Sequence, residues 1–316
     1  MQMDTEVMWL FEGILGLLFI SSVVGYLLKR KITSDVSRVV VNNLNARIKA
    51  WWVMCAVFAV ALLTGGLGSV ILFAFTSFFA LREFITLTPT RKGDHRTLSW
   101  AFFIFLPVQY WLVATQWYGL FAILIPVYAF LFLPIRSALA GDTENFLERT
   151  AKIQWGLMIC IYCVSHAPAL LMLKIPGYEG QNAKLLMFLV LVVQMSDVLQ
   201  YIFGKLMGKR PIAPKVSPNK TWEGFVGGVA ASTLIGAGLW WITPFNFWQA
   251  ALIALLINLM GFSGGLCMSA IKRDRGVKDF GNMISGHGGI LDRIDSICFA
   301  APVYFHIIRY FFTPEI

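Results

Sequence analysis

Two polar segments in the second half of the sequence combine acidic and basic side chains with glycine and proline. The first begins at Ser196-Asp197 and ends at Gly228. Asp197 lies well inside an apolar run, where a carboxylate is costly and marks a functional site by default. Four lysines follow in a stretch that glycine and proline keep from continuing as a regular helix: Lys205, Lys209, Lys215 and Lys220. Thr221 follows these lysines at a position where its side chain can cap the next helix. Clustered lysines before a helix N-terminus suit phosphate, although a basic loop that touches anionic headgroups explains them equally well.

The second segment, residues 269–295, interleaves its charges more closely. Its basic residues are Lys272, Arg273, Arg275, Lys278 and Arg293, and its acidic residues are Asp274, Asp279, Asp292 and Asp295. Asp292 and Asp295 are three residues apart, so on a helix they share a face and offer oxygen ligands to a hard cation such as Mg²⁺. The cations can hold phosphates, and the glycines around His287 permit close backbone approach. His287 itself either bonds a phosphate or holds the shape of the loop.

The composition indicates what must position these segments. The chain has 316 residues, of which 58% are hydrophobic and 14% charged, whereas a soluble domain usually carries about 25% charged residues. Such a chain has too little polar surface to coat a core in water, so lipid must cover the rest. The net charge of +9 is typical of basic cytoplasmic loops, and we therefore expect a lipid bilayer as partner and no nucleic acid.

Apolar stretches near the ~20 residues needed to cross hydrocarbon recur along the whole chain. We identify ten, at 8–28, 50–64, 67–84, 97–115, 117–136, 153–173, 184–204, 225–243, 247–268 and 294–312. This division places 23 of the 26 Lys and Arg residues on one side, and fusing the second and third stretches would break the segregation. The sequence therefore predicts an all-α polytopic protein of about ten helices, with both termini outside.

The same pattern predicts where the chemistry lies. Residues 1–150 form about five spans, and residues 151–316 form a catalytic half with two cytoplasmic loops, 205–224 and 269–293. Loops longer than a turn requires usually carry function, so we expect the active site on the cytoplasmic face of the inner membrane. At the end of the third span, Arg82 and Glu83 are expected to form a local ion pair.

Residues 269–295 match a known signature, S-x2-K-R-x4-K-D-x7-H-G-G-x2-D-R-x-D, at every fixed position. The chain therefore resembles the phosphatidate cytidylyltransferase (CDP-diacylglycerol synthase) family. The matching residues are Ser269, Lys272, Arg273, Lys278, Asp279, His287, Gly288, Gly289, Asp292, Arg293 and Asp295. Upstream, the likeness continues through Asp197, Tyr201, Gly204, Lys209, Ser217-Pro218, Lys220-Thr221, Glu223-Gly224 and Gly227-Gly228. Before Asp197 only the pattern of spans is shared.

The resemblance implies that CTP and phosphatidate react to give CDP-diacylglycerol and pyrophosphate on Mg²⁺, with room for a second cation such as K⁺ and for a homodimer. It assigns catalysis to Asp292, Lys272, Asp295 and Arg293, and metal binding to Asp292 with Asp295 beside it. Asp197 is our own candidate for a further metal ligand. The resemblance assigns substrate binding to Ser217, Lys220, Thr221, Lys209, Ser269, Arg273, Lys278, Asp279, His287, Gly288 and Gly289. One departure concerns the metal: where the family commonly has Gly-Asp, this chain has Gly264-Gly265.

Three other functions remain open. A CTP-dependent enzyme acting on another lipid, or a catalytically silent paralogue, would share the same signature. A transporter would place polar residues such as Asp197 along a path through the membrane, but the ionisable residues of this chain concentrate in two cytoplasmic loops.

Overall fold

The computed structural model describes residues 5–31, 35–284, 286 and 288–314. Within these residues the chain forms ten helices and one short β-hairpin between the seventh and eighth helices. The helices are α1 (Thr5–Lys31), α2 (Asp35–Leu63), α3 (Gly65–Thr86), α4 (Lys92–Ala114), α5 (Tyr118–Ala138), α6 (Phe146–Met172), α7 (Ala183–Met207), α8 (Trp222–Gly238), α9 (Phe247–Asp274) and α10 (Leu291–Phe312). The strands are β1 (Pro211–Ala213) and β2 (Ser217–Thr221), which pair antiparallel.

The all-α polytopic architecture predicted from the sequence is confirmed. Eight helices in the described part of the chain are long and apolar enough to cross a membrane, α1 to α7 and α9. The 17-residue α8 is shorter than that, and α10 carries charges in its first turn. The number of crossings and the side on which the termini lie stay predictions.

The second and third apolar stretches are separate helices. α2 ends at Leu63 and α3 begins at Gly65, with Thr64 between them. Gly65 has a φ of +83°, a conformation that glycine adopts without steric cost. The chain therefore reverses in a tight turn at this point, as the charge segregation predicts.

Side chains on α6, α7 and α10 are among those that are fully buried, for example Ile161, Leu186, Phe188 and Ala300. α7 packs closely on α8 because glycines line the contact: a Cβ on Gly228 would lie 2.5 Å from the backbone nitrogen of Gln200. Small residues allow helix backbones to approach in this way in membranes. The packing fixes α7, α8, α9 and α10 as one unit at the end where both polar segments emerge.

An ion network joins the connection before α4 and the start of α4 to the connection before α6 and the first turn of α6, and Arg149 and Asp94 are its buried members. Arg149, at 5% exposure, lies 3.5 Å from the carboxylate of Asp94 and 2.9 Å from that of Asp142. Arg91 contacts Asp142 at 2.8 Å. The hydrogen bond from Arg149 is the main reason that the pKa of Asp142 lies below its usual value. The network ties these two connections together.

Candidate active site

The β-hairpin carries the first polar segment from α7 into α8. Thr221 caps α8, since its Oγ1 accepts a hydrogen bond of 3.2 Å from the backbone N–H of Gly224, as predicted. The Glu223 carboxylate accepts from the backbone N–H groups of Lys209 and Arg210, at 3.0 and 3.2 Å. These donors, Lys209 foremost, lower the pKa of Glu223. The polar stretch is therefore ordered, because Glu223 at the start of α8 binds the backbone just after α7.

In the second polar segment, the Asp292 carboxylate is the centre of a buried cluster. Lys272, in the last turn of α9, lies 2.7 Å from Asp292 Oδ1 in the first turn of α10, and the two residues are 8% and 5% exposed. The backbone N–H groups of Phe280 and Gly289 donate to Asp292 Oδ2 at 2.8 and 2.9 Å. Asp292 thereby holds together both ends of the loop between α9 and α10.

Gly288 permits this closure. Its φ is +82°, and a Cβ there would lie 2.9 Å from Asp292 Oδ2. The loop also folds back on itself, because the backbone N–H of Ile284 donates to the carbonyl of Gly288 at 2.9 Å. A residue with a side chain at position 288 would be strained in conformation and would press on the carboxylate.

Glu83 on α3 is a site residue that the sequence did not reveal. The prediction that Glu83 forms an ion pair with Arg82 is wrong. The Glu83 carboxylate instead accepts from the backbone N–H groups of Ile290 and Leu291, at 3.0 and 2.9 Å, where α10 begins. A carboxylate at a helix N-terminus satisfies orphan N–H groups and suits the helix dipole. Glu83 therefore anchors the loop between α9 and α10 to the N-terminal half of the chain.

The carboxylates of Asp197 and Asp295 both accept hydrogen bonds from Ser296. Its Oγ donates to Asp197 Oδ2 at 3.0 Å, and its backbone N–H donates to Asp295 Oδ1 at 2.8 Å. The structure thus brings Asp197, from the first polar segment, together with the second. Lys220 of β2 lies close to both carboxylates, which oppose the lowering of its pKa by burial.

The carboxylates of Asp197, Asp292 and Asp295 border a cavity of about 750 Å³. Its polar lining comes from the catalytic half and from α2: Asp197, Lys278, Asp279, Asp292, Arg293, Asp295, Asn43 and Arg47. Arg293 Nε is buried without a hydrogen-bond partner among the described residues. Arg47, Lys278 and Arg293 place three cationic side chains on the lining, and such groups hold phosphates, so the cavity is suited to bind phosphate.

The contribution of α2 was also missed from the sequence. Arg47 Nε donates to the carbonyl of Gly286 at 3.1 Å, and α2 forms one wall of the cavity through Asn43, Leu44, Ile48 and Trp51. The positive-inside pattern explains a basic residue at this position, so nothing in the sequence distinguished Arg47 from its neighbours.

Other predicted substrate-binding residues make structural contacts. Ser269 Oγ donates to the carbonyl of Gly265 at 2.6 Å. Arg273 donates to the carbonyls of Val216 and Val277, at 3.2 and 2.7 Å, which ties the hairpin to the second loop. Lys209 is exposed and Ser217 is partly buried on β2. His287 lies outside the described residues, and the substrate-binding roles of all these residues stay predictions.

Two carboxylates of the cavity, Asp197 and Asp295, are the groups that would hold a Mg²⁺ ion, and the metal itself stays a prediction. No group of three or more His, Cys, Asp or Glu side chains in residues 5–31, 35–284, 286 and 288–314 is arranged to hold a metal ion. Asp197 and Asp295 line the cavity together, and Mg²⁺ is commonly held by one or two carboxylates plus substrate phosphates. Asp292 already accepts from Lys272 and two backbone N–H groups, and its role as a metal ligand stays a prediction.

A bundle of membrane-length helices whose polar end encloses carboxylates and guanidinium groups defines a membrane-embedded enzyme that acts on anionic substrates. The chain belongs to the cytidylyltransferase family, which it matches over residues 45–311. It is thus a membrane nucleotidyltransferase, and the resemblance to phosphatidate cytidylyltransferases is confirmed.

Individual relatives differ in how much of the chain they match. The chain is 41% identical over 273 residues to the uncharacterized protein YnbB of Escherichia coli (strain K12), covering 85% of this chain and 88% of that protein. It is 43% identical over 130 residues to a phosphatidate cytidylyltransferase of Staphylococcus saprophyticus and 41% identical over 130 residues to one of Staphylococcus aureus. These two matches cover 40% of this chain and 50% of each relative.

Proposed function

We propose that this chain transfers the cytidylyl group of CTP to phosphatidate, forming CDP-diacylglycerol and releasing pyrophosphate. The observation that carries the proposal is a cavity lined by the cations Arg293 and Lys278 together with the carboxylates Asp197 and Asp295. The family match supports CTP as the nucleotide. The similarity to phosphatidate cytidylyltransferases of the staphylococci, over 40% of this chain, supports phosphatidate as the acceptor.

The proposed reaction requires charge neutralisation more than proton transfer. A phosphate oxygen of the lipid attacks the α-phosphorus of CTP, a new P–O bond forms, and the bond to the bridging oxygen breaks so that pyrophosphate leaves. The lipid phosphate is already anionic near neutral pH, so no strong base is needed. Arg293 and Lys278 hold the phosphates. Asp197 and Asp295 hold the cationic side chains in position around those phosphates. Mg²⁺, when bound, would neutralise part of the triphosphate charge.

The cavity wall supports a lipid acceptor. Apolar side chains of α2 and α7 line it beside the charged groups, among them Leu44, Trp51 and Val198. Leu44 and Val198 are also exposed. We propose that the headgroup enters between these helices while the acyl chains stay in the bilayer. This entry lies on the cytoplasmic face of the inner membrane, where most Lys and Arg residues are expected.

A homodimer stays a proposal that the mass of the solubilised particle tests.

Two other activities are consistent with parts of the same evidence. The relative that matches 85% of the chain is uncharacterized, so a different lipid phosphate could serve as acceptor. Gly265 makes a silent paralogue the other alternative. A transporter fits less well, because the charged groups lie at one end of the bundle and contact one another there.

Purified protein incubated with CTP, Mg²⁺ and single lipid acceptors separates these functions. Phosphatidate should give CDP-diacylglycerol. Undecaprenyl phosphate and phosphatidylglycerol phosphate, each tested alone, are the alternative acceptors. Product from another lipid phosphate alone would reassign the acceptor. No product from any acceptor, in protein that still binds CTP, would refute the enzymatic proposal in favour of the silent paralogue.

A further inference from the structure

One face of α2 changes from polar to apolar along the wall of the cavity. Asn43, Leu44, Arg47, Ile48 and Trp51 line the cavity, and their spacing places them on one side of the helix. Arg47 contacts the loop between α9 and α10, so it lies at the polar end of the bundle. Trp51 lies about one turn further along the membrane-length part of α2, about 6 Å from Arg47 along the helix axis. A lipid with a charged headgroup has the same order of polar and apolar parts.

The Arg47 guanidinium is held through one nitrogen. Its Nε donates to the carbonyl of Gly286 at 3.1 Å, and its two terminal amino groups have no hydrogen-bond partner in the part of the chain that the structure describes. Arg47 is exposed, and it faces the cavity. The terminal amino groups of arginine bind a phosphate through two parallel hydrogen bonds. The Gly286 carbonyl therefore orients the guanidinium and leaves these donors available to an anion.

The loop between α9 and α10 packs directly on α2 at Gly286. Gly286 has a φ of +75°, and a Cβ there would lie 3.3 Å from both Arg47 Cγ and Asn43 Oδ1. Asn43 is therefore beside Arg47 at the same point of the loop. Further along, the backbone N–H of Gly289 donates to Asp292 on α10. The loop thus connects the α2 wall of the cavity to the α10 wall.

The surroundings of the α2 wall suit a lipid better than a nucleotide. Leu44 on α2 and Val198 and Tyr201 on α7 line the cavity, and all three are exposed. A triphosphate placed beside apolar side chains would lose hydration without gaining hydrogen bonds, whereas an acyl chain loses nothing there. The other cations of the lining, Lys278 and Arg293, lie on the loop and on α10, where they remain for the nucleotide phosphates.

We propose that Arg47 and Asn43 form a lipid-phosphate subsite. The terminal amino groups of Arg47 hold a phosphate monoester, and Ile48 and Trp51 flank the start of the hydrocarbon chain attached to it. The ligand class is therefore a phosphate monoester on a hydrocarbon anchor. That this ligand accepts the cytidylyl group rests on the proposed function, but its binding at Arg47 does not.

The test measures binding of labelled dioctanoyl phosphatidate and, separately, of CTP to purified protein in detergent. Arg47→Gln should weaken phosphatidate binding by about 10- to 100-fold, because hydrogen bonds to a charged group are lost, and should leave CTP binding unchanged. Arg47→Lys keeps the charge without the paired donors and should fall between the two. Lys49→Gln is the matched control and should behave as wild type, since Lys49 is exposed two residues further along α2 and faces elsewhere.

Competition separates a lipid from a free anion. Neither inorganic phosphate nor dioctanoylglycerol should displace phosphatidate at concentrations near its Kd. Displacement by inorganic phosphate as effective as that by unlabelled phosphatidate would overturn the lipid subsite. Unchanged phosphatidate binding in Arg47→Gln would also overturn it, as would a fall in CTP affinity alone.

A measurement on wild-type protein does not depend on whether any variant folds. Phosphatidate that carries a photoreactive diazirine on its acyl chain, close to the glycerol, should label α2 within residues 43–51. Labelling confined to other helices would overturn the inference. Failure of the proposed function looks different: no CDP-lipid would form, while phosphatidate binding would still depend on Arg47.

Discussion

Asp292→Asn should destabilise the protein as well as inactivate it. The structure pairs the Asp292 carboxylate with the Lys272 ammonium at 2.7 Å, and both residues are under 10% exposed. Removing one partner of a buried ion pair leaves an uncompensated charge and costs about 3–5 kcal/mol. The asparagine amide also cannot accept all three hydrogen bonds that the carboxylate accepts. We expect a loss of stability near the upper part of that range.

The double variant Lys272→Met with Asp292→Asn isolates the charge effect. Replacing both partners of a buried pair by neutral groups is often close to neutral for stability, so the double variant should regain most of the stability that the single variant loses. Its activity should not return. Asp274→Asn serves as the matched control, because Asp274 is exposed at the end of α9, the helix that carries Lys272. Surface substitutions usually change stability by about 0.5 kcal/mol or less.

Thermal unfolding in detergent, with size-exclusion profiles before and after heating, measures these differences. If Asp292→Asn unfolds with wild-type stability while activity disappears, then the carboxylate contributes through metal or substrate alone, and the reasoning from its buried contacts is refuted.

Three further predictions follow from single contacts. Glu83→Ala should free the start of α10 and lower stability by about 3 kcal/mol, since two hydrogen bonds to a charged group are lost; hydrogen exchange at the Ile290 amide should then accelerate, and unchanged protection would contradict the anchoring role. Arg293→Gln should weaken binding of CTP or of the lipid phosphate by about 10- to 100-fold without loss of fold, as isothermal titration would show. The lowered pKa of Asp142, caused mainly by Arg149, stabilises the folded state above the usual carboxyl pKa; this part of stability should fade as pH falls through the lowered value and be absent in Asp142→Asn.

Much of the architecture was predictable because it is local. Runs of apolar residues near membrane length determine helices directly, and the charge segregation separated α2 from α3 at Thr64. The capping role of Thr221 also followed from its position before an apolar run. In each case the signal lies within a few residues of the structure that it predicts.

The features that escaped prediction depend on contacts distant in sequence. Glu83 meets Ile290 and Leu291 more than 200 residues later, and Arg47 meets Gly286 across a similar distance. Neither residue carries a pattern of its own. The hairpin of β1 and β2 was missed because Pro211, Pro214 and Pro218 interrupt any alternation of apolar and polar residues.

The candidate site itself was predicted in part. The convergence of Asp197 with Asp295 follows from two polar segments emerging at one end of the bundle, and the structure places both around Ser296. The division of labour among the acids was not predictable. Asp292 and Asp295 share a helix face by spacing, yet one is engaged by Lys272 and the other faces Asp197, a difference that only the fold of the loop creates.

The most direct test of the proposed chemistry follows both ends of the nucleotide in one reaction. Purified protein would be incubated with Mg²⁺, phosphatidate and CTP labelled at either the α- or the γ-phosphate. The α-label should enter the lipid and the γ-label should appear in pyrophosphate in equal amount, with both lost in Arg293→Gln. Transfer of the γ-label to the lipid, or retention of both labels in CTP, would contradict cytidylyl transfer by this site.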